Sequence, residues 1–264
     1  MREILDELHK IEKEYRVQIF YACESGSRAW GFPSVDSDYD VRFLYIRERD
    51  RYLSIDVEDK RDVIELPISD DLDISGWDLR KALKLLRKSN PPLLEWLSSP
   101  IVYVQNDALI EKFRALAPLY YSPISCSYHY LQMARNNFRE YMKGDTVKVK
   151  KYFYILRPIL AIKWIEEMSE IMPMEFGIMV DRLIHDKPLK QAVNDLIERK
   201  KRGEELKLEP KIPVISDFIE HEMERITTTV FDKYNERSPA ELLNSTFREM
   251  ISMSNIGERA ANTK

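Results

Sequence analysis

The stretch ESGSRAWGFPSVDSDYDVRFLYI, from Glu24 to Ile46, places a small-residue turn and a group of aspartates directly before an apolar run. Its aspartates include Asp38 and Asp40, which are separated by one residue. Neighbouring carboxylates repel one another at neutral pH, and packing alone gives no reason to collect them. The pattern therefore predicts that a positive group binds beside these aspartates.

The composition predicts a globular chain with a buried core. It has 264 residues, of which 44% are hydrophobic, and this length suits one large domain or two small ones. Cys23 and Cys126 lie far apart and match no metal-ligand spacing. The opening segment MREILDELHK is charged, and no apolar run approaches the roughly 20 residues that cross a bilayer. We therefore expect a reduced, cytoplasmic protein without membrane contact.

Charge is distributed unevenly along the chain. The formal net charge of -4 does not indicate a dedicated nucleic-acid binder, which is often strongly basic. The segment from Asp56 to Asp73 is acidic, whereas the segment from Lys143 to Lys163 is mainly basic. Opposite charges in separate segments suit a protein that holds cations in one place and phosphates in another.

The first part of the chain shows both strand and helix periods. An amphipathic helix with Ile4, Leu8 and Ile11 on one face precedes four strand-like runs. These runs begin at Val17, Tyr39, Asp62 and Leu72. A helix with Leu79, Leu83 and Leu86 follows, and Asn90-Pro91 is typical of an N-cap with proline at the first helical position.

The rest of the chain has a helical period. Helices are predicted over residues 107–116, 125–142, 147–169, 188–202, 214–230 and 239–253. We therefore expect an α+β fold. A small α/β domain over residues 1–106, with a mixed sheet and flanking helices, would precede an all-helical domain over residues 107–264.

The aspartates and the turn suggest a metal site next to a phosphate cradle. In an extended strand, Asp38 and Asp40 would project to the same side while Tyr39 faces away. Mg²⁺ prefers oxygen ligands and commonly takes one or two carboxylates together with phosphate oxygens. The turn at Gly26-Ser27 allows close backbone approach, so that its N–H groups and hydroxyl can face phosphate oxygens.

A third carboxylate is expected from a later strand. Asp73 has apolar neighbours in a strand-like run, where a lone aspartate otherwise fits poorly. Asp78 and Glu65 remain alternatives for this position, and Asp73 could also belong to an acidic turn.

Several basic and aromatic residues are candidate nucleotide contacts. Arg28 follows the turn and could pair with a phosphate oxygen, or with a nearby aspartate as a structural salt bridge. Lys150, Tyr154 and Arg157 fall at i, i+4 and i+7 and share one helix face, with Lys151 beside them. Such a stripe can bind phosphate and base, although charged runs are usually solvated helix faces.

These motifs together resemble those of a known superfamily. The order of Gly26-Ser27, Asp38-Tyr39-Asp40 and Asp73 is similar to the signature of DNA polymerase beta-like nucleotidyltransferases. The segments GSRAWGF, SDYDVRF, KSNPPLLEWLSSP and KKYFYILRP resemble predicted nucleotidyltransferases of the RNA-repair-pathway polymerase-beta type. The resemblance extends from Cys23 to about Trp164.

The resemblance implies a two-metal nucleotidyltransferase that uses Mg²⁺ or Mn²⁺ and an NTP. Asp38 and Asp40 would bind both ions, and Asp73 would complete the site of the ion that activates the acceptor hydroxyl. Gly26 and Ser27 would hold the phosphates. Arg28, Lys151, Tyr154 and Arg157 would contact the nucleotide or the acceptor.

The resemblance also bears on the identity of the acceptor and on whether the protein is catalytically active. The association with RNA repair favours an RNA 3′ end as the acceptor. The alternative is a catalytically inactive nucleotide- or RNA-binding protein, or an antitoxin-like partner with the same fold. The apparent presence of three carboxylates favours the enzyme, because an inactive binder has little need for a full set of metal ligands.

Overall fold

The computed structural model describes residues 1–69, 71–204, 208–228 and 239–254. Its helices are α1 (Arg2–Tyr15), α2 (Gly26–Ala29), α3 (Arg49–Tyr52), α4 (Leu79–Arg87), α5 (Pro91–Leu97), α6 (Asp107–Tyr120), α7 (Pro123–Tyr141), α8 (Val149–Met168), α9 (Phe176–Leu183), α10 (Lys187–Lys201), α11 (Pro213–Thr228) and α12 (Glu241–Ser252). Its strands are β1 (Val17–Glu24), β2 (Tyr39–Arg47), β3 (Val63–Glu65), β4 (Leu72–Asp78), β5 (Val102–Gln105), β6 (Thr146–Lys148) and β7 (Leu208–Pro210). A mixed sheet combined with helices confirms the α+β class.

The described residues form two compact units. The first comprises Met1–Gly26, Asp38–Tyr121 and the described part of Arg237–Lys264. The second comprises Ser27–Ser37 and the described part of Ser122–Glu236. None of the described helices combines the length and the apolar character that crossing a bilayer requires.

A five-stranded mixed sheet organises the first unit. The strand order is β3-β4-β2-β1-β5, with β2 and β4 parallel and the other neighbours antiparallel. Alternate residues Val41, Phe43 and Tyr45 of β2 join a buried cluster with Ile4 and Leu8 of α1, because side chains two apart in a strand share a face. All residues of β1 are buried, as expected for a central strand that is covered on both faces.

The second unit is built mainly from helices. Helix α8 is apolar around most of its circumference, and twelve of its residues are buried, as expected for the central helix of a bundle. Strands β6 and β7 pair antiparallel beside the helices. The loop Ser27–Ser37 belongs to this unit because Phe32 stacks on Phe153, with ring centroids 4.5 Å apart.

Each of the two units combines segments that are far apart in sequence, and the domain boundary between residues 106 and 107 stays a prediction. Helix α6 belongs to the first unit, where Phe113 lies against Phe20 of β1 with ring centroids 6.4 Å apart. Helix α12 also belongs to the first unit, and Phe247 contacts Tyr52 edge-on at 5.0 Å. Contacts between apolar side chains far apart in sequence therefore determine which segments form each unit. A change of hydrophobic period along the chain does not reveal those contacts.

Most predicted elements are present, with shifted ends. The side-chain oxygen of Asn90 accepts a hydrogen bond from the Leu93 backbone N–H at 3.2 Å, which confirms the predicted N-cap. The end of the helix predicted over 214–230 lies outside the described residues. Helices α2, α3 and α9 and strands β5, β6 and β7 were not predicted, because each is short and has little periodicity of its own.

Candidate active site

Asp40 and Asp73 lie side by side on neighbouring strands. Strands β2 and β4 are parallel, and their register pairs Asp40 with Asp73. Arg42 is two residues further along β2, so it lies on the same face of the sheet as Asp40. The strand period and the register together bring one basic and two acidic side chains close to one another, near the N-terminal ends of β2 and β4.

The guanidinium of Arg42 bridges the two carboxylates. Its Nη2 lies 3.2 Å from Asp40 Oδ1 and 2.7 Å from Asp73 Oδ2. Its Nη1 donates to the backbone oxygens of Asp73, at 2.9 Å, and Val41, at 3.1 Å. The Arg42 side chain is 18% exposed and each carboxylate is 29% exposed. Arg42 therefore lies as a positive group between Asp40 and Asp73, and its role was not predicted from the sequence.

Gly26 approaches Asp40 so closely that no side chain would fit. Its φ is +58°, a left-handed conformation that glycine adopts readily. A Cβ at this position would lie 1.9 Å from Asp40 Oδ2. The backbone N–H of Ser25 also donates to the backbone oxygen of Asp40 at 2.8 Å. The predicted turn therefore lies directly against the predicted metal ligand.

Glu24 holds the backbone of Asp40 in place through a hydrogen bond. Its fully buried carboxylate accepts a hydrogen bond from the Asp40 backbone N–H at 2.7 Å. The Tyr103 hydroxyl donates to the same carboxylate, and the Ser99 hydroxyl donates to the Glu24 backbone oxygen at 2.6 Å. Glu24 was not predicted as a site residue, although an acidic residue that ends a buried strand shortly before a glycine turn is a usable signal.

The other candidate carboxylates have different surroundings. Asp38 is exposed and directly precedes β2, which begins at Tyr39. Glu65 lies on β3 and pairs with Arg61 at 3.0 Å on the surface. Asp78 is buried at the N-cap of α4, where it accepts from the Arg80 backbone N–H at 2.8 Å. Of the three alternatives for the third carboxylate, Asp73 is the one in register with Asp40.

Burial shifts the pKa values of several groups near these strands, among them Asp78 and Cys23. Burial raises the pKa of Asp78 above its usual range, despite hydrogen bonds from the Arg80 backbone and from Tyr52. Burial also raises the pKa of Cys23 in β1 to about 12. A thiol with such a pKa stays protonated at neutral pH, so Cys23 is not a nucleophile.

The donor chemistry of Asp40 and Asp73 suits a hard cation. Among the described residues, no group of three or more His, Cys, Asp or Glu side chains is arranged to hold a metal ion. Asp40 and Asp73 nevertheless present carboxylate oxygens to one shared cationic nitrogen, and such oxygens are what Mg²⁺ and Mn²⁺ prefer. The pair therefore fits a divalent ion in ligand type and charge.

Within the second unit, Ser27 and Arg28 contact their own loop. The Ser27 hydroxyl donates to the Ser37 hydroxyl at 3.1 Å. Arg28 Nη2 donates to the Ser37 backbone oxygen at 2.7 Å. The Ser34 backbone N–H also donates to the Ser37 hydroxyl at 2.9 Å. These bonds close the loop Ser27–Ser37 and fix both predicted phosphate contacts in place.

Helix α8 carries the remaining predicted nucleotide contacts. Lys151 Nζ lies 3.8 Å from the ring centroid of Tyr141 and 4.9 Å from that of Tyr154, so a cation is held between two aromatic rings. Arg157 is 4% exposed, and its guanidinium carbon lies 4.5 Å from the ring centroid of Trp30. The burial of Arg157 favours the structural interpretation of this residue.

Comparisons with known proteins place these motifs in a family. The chain is 56% identical over 225 residues to the uncharacterized protein YcgL of Bacillus subtilis (strain 168), covering 85% of this chain and 86% of the relative. A crystal structure of a nucleotidyltransferase-like protein from Exiguobacterium sibiricum 255-15 is 12% identical and covers 96% of this chain and 90% of that chain. Its TM-score of 0.29 is too low to support an argument. The model of the RNA repair pathway DNA polymerase beta family matches residues 1–249, and the chain therefore belongs to that family.

Proposed function

We propose that this chain is a metal-dependent nucleotidyltransferase that moves a nucleotidyl group from an NTP to an acceptor hydroxyl. The observation that carries the proposal is the contact of Gly26 with Asp40, which is in register with Asp73. A glycine turn that can bind phosphate through its backbone and a pair of carboxylates are the two parts that nucleotidyl transfer needs. Membership of a polymerase beta-like family supports the same conclusion.

Asp40 and Asp73, with Asp38 at the entry to β2, are the residues that would hold Mg²⁺ or Mn²⁺. A bound divalent ion would lower the pKa of the acceptor hydroxyl and neutralise charge on the triphosphate. The backbone at Gly26-Ser27 would place phosphate oxygens against its N–H groups, which is a positioning contribution. Glu24 would keep Asp40 fixed during the reaction through its hydrogen bond to the Asp40 backbone.

The reaction forms one bond and breaks one bond at the α-phosphorus. The acceptor oxygen bonds to that phosphorus, the bond to the bridging oxygen of the leaving pyrophosphate breaks, and the hydroxyl proton passes to solvent. In the second unit, Ser27, Arg28, Lys151 and Tyr154 are the proposed nucleotide-binding side chains. Arg157 belongs to this set only if its contact with Trp30 opens.

The acceptor we propose is an RNA 3′ end. The description of the family as part of an RNA repair pathway supports this choice over a protein hydroxyl or a small molecule.

A labelling experiment tests the proposed function. The protein is incubated with each α-labelled NTP, with Mg²⁺ or Mn²⁺, and with total RNA or total protein. We expect label to be retained by the RNA pool and to be lost with the Asp40→Asn variant. Label retained by the protein pool would still support nucleotidyl transfer, with a protein hydroxyl in place of an RNA 3′ end as the acceptor.

The alternative is an inactive nucleotide- or RNA-binding protein, and one observation favours it. Arg42 already neutralises part of the charge on Asp40 and Asp73, as would be expected of a site that no longer needs a metal. In that case NTP would raise the melting temperature equally with Mg²⁺ and with EDTA, and no pool would retain label.

A further inference from the structure

We infer that Arg42 is the counter-ion that keeps Asp40 and Asp73 together in the metal-free site, and that it competes with the divalent cation for the same carboxylate oxygens. The inference rests on the proposed function, which places that cation at these two residues. Arg42 then sets how tightly the metal binds, a role separate from contact with substrate.

The guanidinium and a metal ion would compete for the same two oxygens. One nitrogen, Nη2, lies 3.2 Å from Asp40 Oδ1 and 2.7 Å from Asp73 Oδ2. Mg²⁺ prefers carboxylate oxygens as ligands, and Asp40 and Asp73 are the residues that would hold it. Because both oxygens already accept from Nη2, Arg42 would have to withdraw before both could bind metal.

The remaining contacts of Arg42 oppose that withdrawal. Nη1 donates to the backbone oxygens of Val41 and Asp73, and these atoms belong to strands of the central sheet. The side chain is only 18% exposed, so its charge is less screened than that of a surface arginine. Metal binding therefore has to replace two charge-assisted contacts and loosen two backbone contacts.

The competing interpretation is that Arg42 stays in place and orients the carboxylates for the metal. Asp40 Oδ2, which faces Gly26, would then serve as the ligand oxygen in place of Oδ1. This interpretation predicts the opposite sign for the effect of removing Arg42, because loss of an orienting partner weakens metal binding. The direction of the change in affinity separates the two interpretations.

The test is a titration with Mn²⁺ alone, followed by electron paramagnetic resonance of the free ion. Arg42→Gln removes the charge and keeps a polar side chain that can hydrogen-bond. Arg49→Gln is the matched control, because it removes an exposed positive charge from the same unit. Asp40→Asn is the control that should remove Mn²⁺ binding.

We expect Arg42→Gln to bind Mn²⁺ about tenfold more tightly than the wild type, and Arg49→Gln to bind it as the wild type does. Without metal, Arg42→Gln should have a lower melting temperature, which Mn²⁺ restores. Equal or weaker binding by Arg42→Gln overturns the inference and leaves the proposed function standing. If neither the wild type nor the variant binds Mn²⁺, the inference and the proposed metal site fail together.

A measurement on the wild type does not depend on the folding of the variant. Nuclear magnetic resonance with labelled arginine reports the Arg42 guanidinium, and Arg42→Lys identifies its signal. We expect Mg²⁺ to shift that signal from an ion-paired position to one typical of solvent-exposed arginine. A signal that stays in place while Mg²⁺ saturates the protein overturns the inference.

Discussion

Asp40 lies directly across from Asp73 in the parallel pairing of β2 with β4. Two like charges at paired positions on adjacent strands destabilise a sheet unless a cation lies between them. Arg42 supplies that cation from the same face of β2. The arrangement keeps two carboxylates close together on a partly exposed edge, where a stronger cation can reach them.

The carboxylates should be essential for transfer and dispensable for folding. We expect Asp40→Asn, Asp73→Asn or Asp38→Asn to reduce nucleotidyl transfer by about a hundredfold or more, measured as the rate of label incorporation. Unfolding in urea should show little loss of stability, since Arg42 keeps at least one of its two carboxylate partners in each variant. Asp59→Asn, at an exposed position of the same unit, is the control. Unchanged turnover in Asp40→Asn would contradict the catalytic assignment.

A side chain at position 26 should lower the stability of the protein, because Gly26 lies directly against Asp40. Gly26→Ala places a methyl group against Asp40 Oδ2 in a backbone with φ of +58°. Gly144→Ala is a matched control, because its φ of +77° imposes similar strain with no atom within 4 Å. We expect Gly144→Ala to lower the free energy of unfolding by about 1 kcal/mol and Gly26→Ala to lower it by about 1–3 kcal/mol more. Equal losses in the two variants would mean that the contact with Asp40 is not tight.

Arg157 should behave as a structural residue. Its guanidinium stacks on Trp30 and lies 3.8 Å from the Met174 sulfur in the interior of the second unit. We expect Arg157→Ala to lower the free energy of unfolding by about 2–4 kcal/mol, with an unchanged KM in the folded protein. Arg182→Ala, at an exposed position of the same unit, is the control for loss of charge. A raised KM with unchanged stability would restore Arg157 to the nucleotide-binding set.

Asp78 should make stability depend on pH in a recognisable direction. Burial raises its pKa above the ordinary 3.8, so the folded protein keeps this proton to a higher pH than the unfolded chain does. The contribution of Asp78 to stability is therefore greatest at low pH and is lost as the pH rises through the folded pKa. Asp78→Asn removes the titration and keeps an acceptor for the N-cap.

The difference between these two proteins is the measured quantity. The free energy of unfolding of the wild type minus that of Asp78→Asn should rise as the pH falls from about 7 to about 4. Urea unfolding at several pH values measures it. A difference that shrinks with falling pH would show that Arg47, 3.9 Å from the carboxylate, keeps Asp78 ionised.

Local features of the fold could be predicted from the sequence because neighbouring residues determine them. The strands that begin at Val17, Tyr39 and Leu72 follow from period and composition, and the N-cap at Asn90 follows from its own side chain. The glycine turn was expected at Gly26, where φ is positive. The α+β class followed from the order of strands and helices along the chain.

The pairing of distant segments could not be predicted in the same way. The register that brings Asp73 beside Asp40 is a property of two strands separated in sequence. The contact of Arg42 with both carboxylates depends on that register, so it could not be predicted from the sequence. In the sequence, Arg42 interrupts an otherwise apolar run between Val41 and Phe43. The place of Ser27–Ser37 in the second unit depends on the packing of Phe32, which has no local signature.

Labels at the two ends of the triphosphate test whether the protein transfers a nucleotidyl group and releases pyrophosphate. Parallel reactions contain the same NTP, labelled at the α-phosphate or at the γ-phosphate, with Mg²⁺ and RNA. We expect the α label to become attached to the acceptor, the γ label to appear in pyrophosphate, and Asp40→Asn to abolish both. A γ label on the acceptor or in orthophosphate, or an α label that Asp40→Asn retains equally, would contradict the proposed transfer.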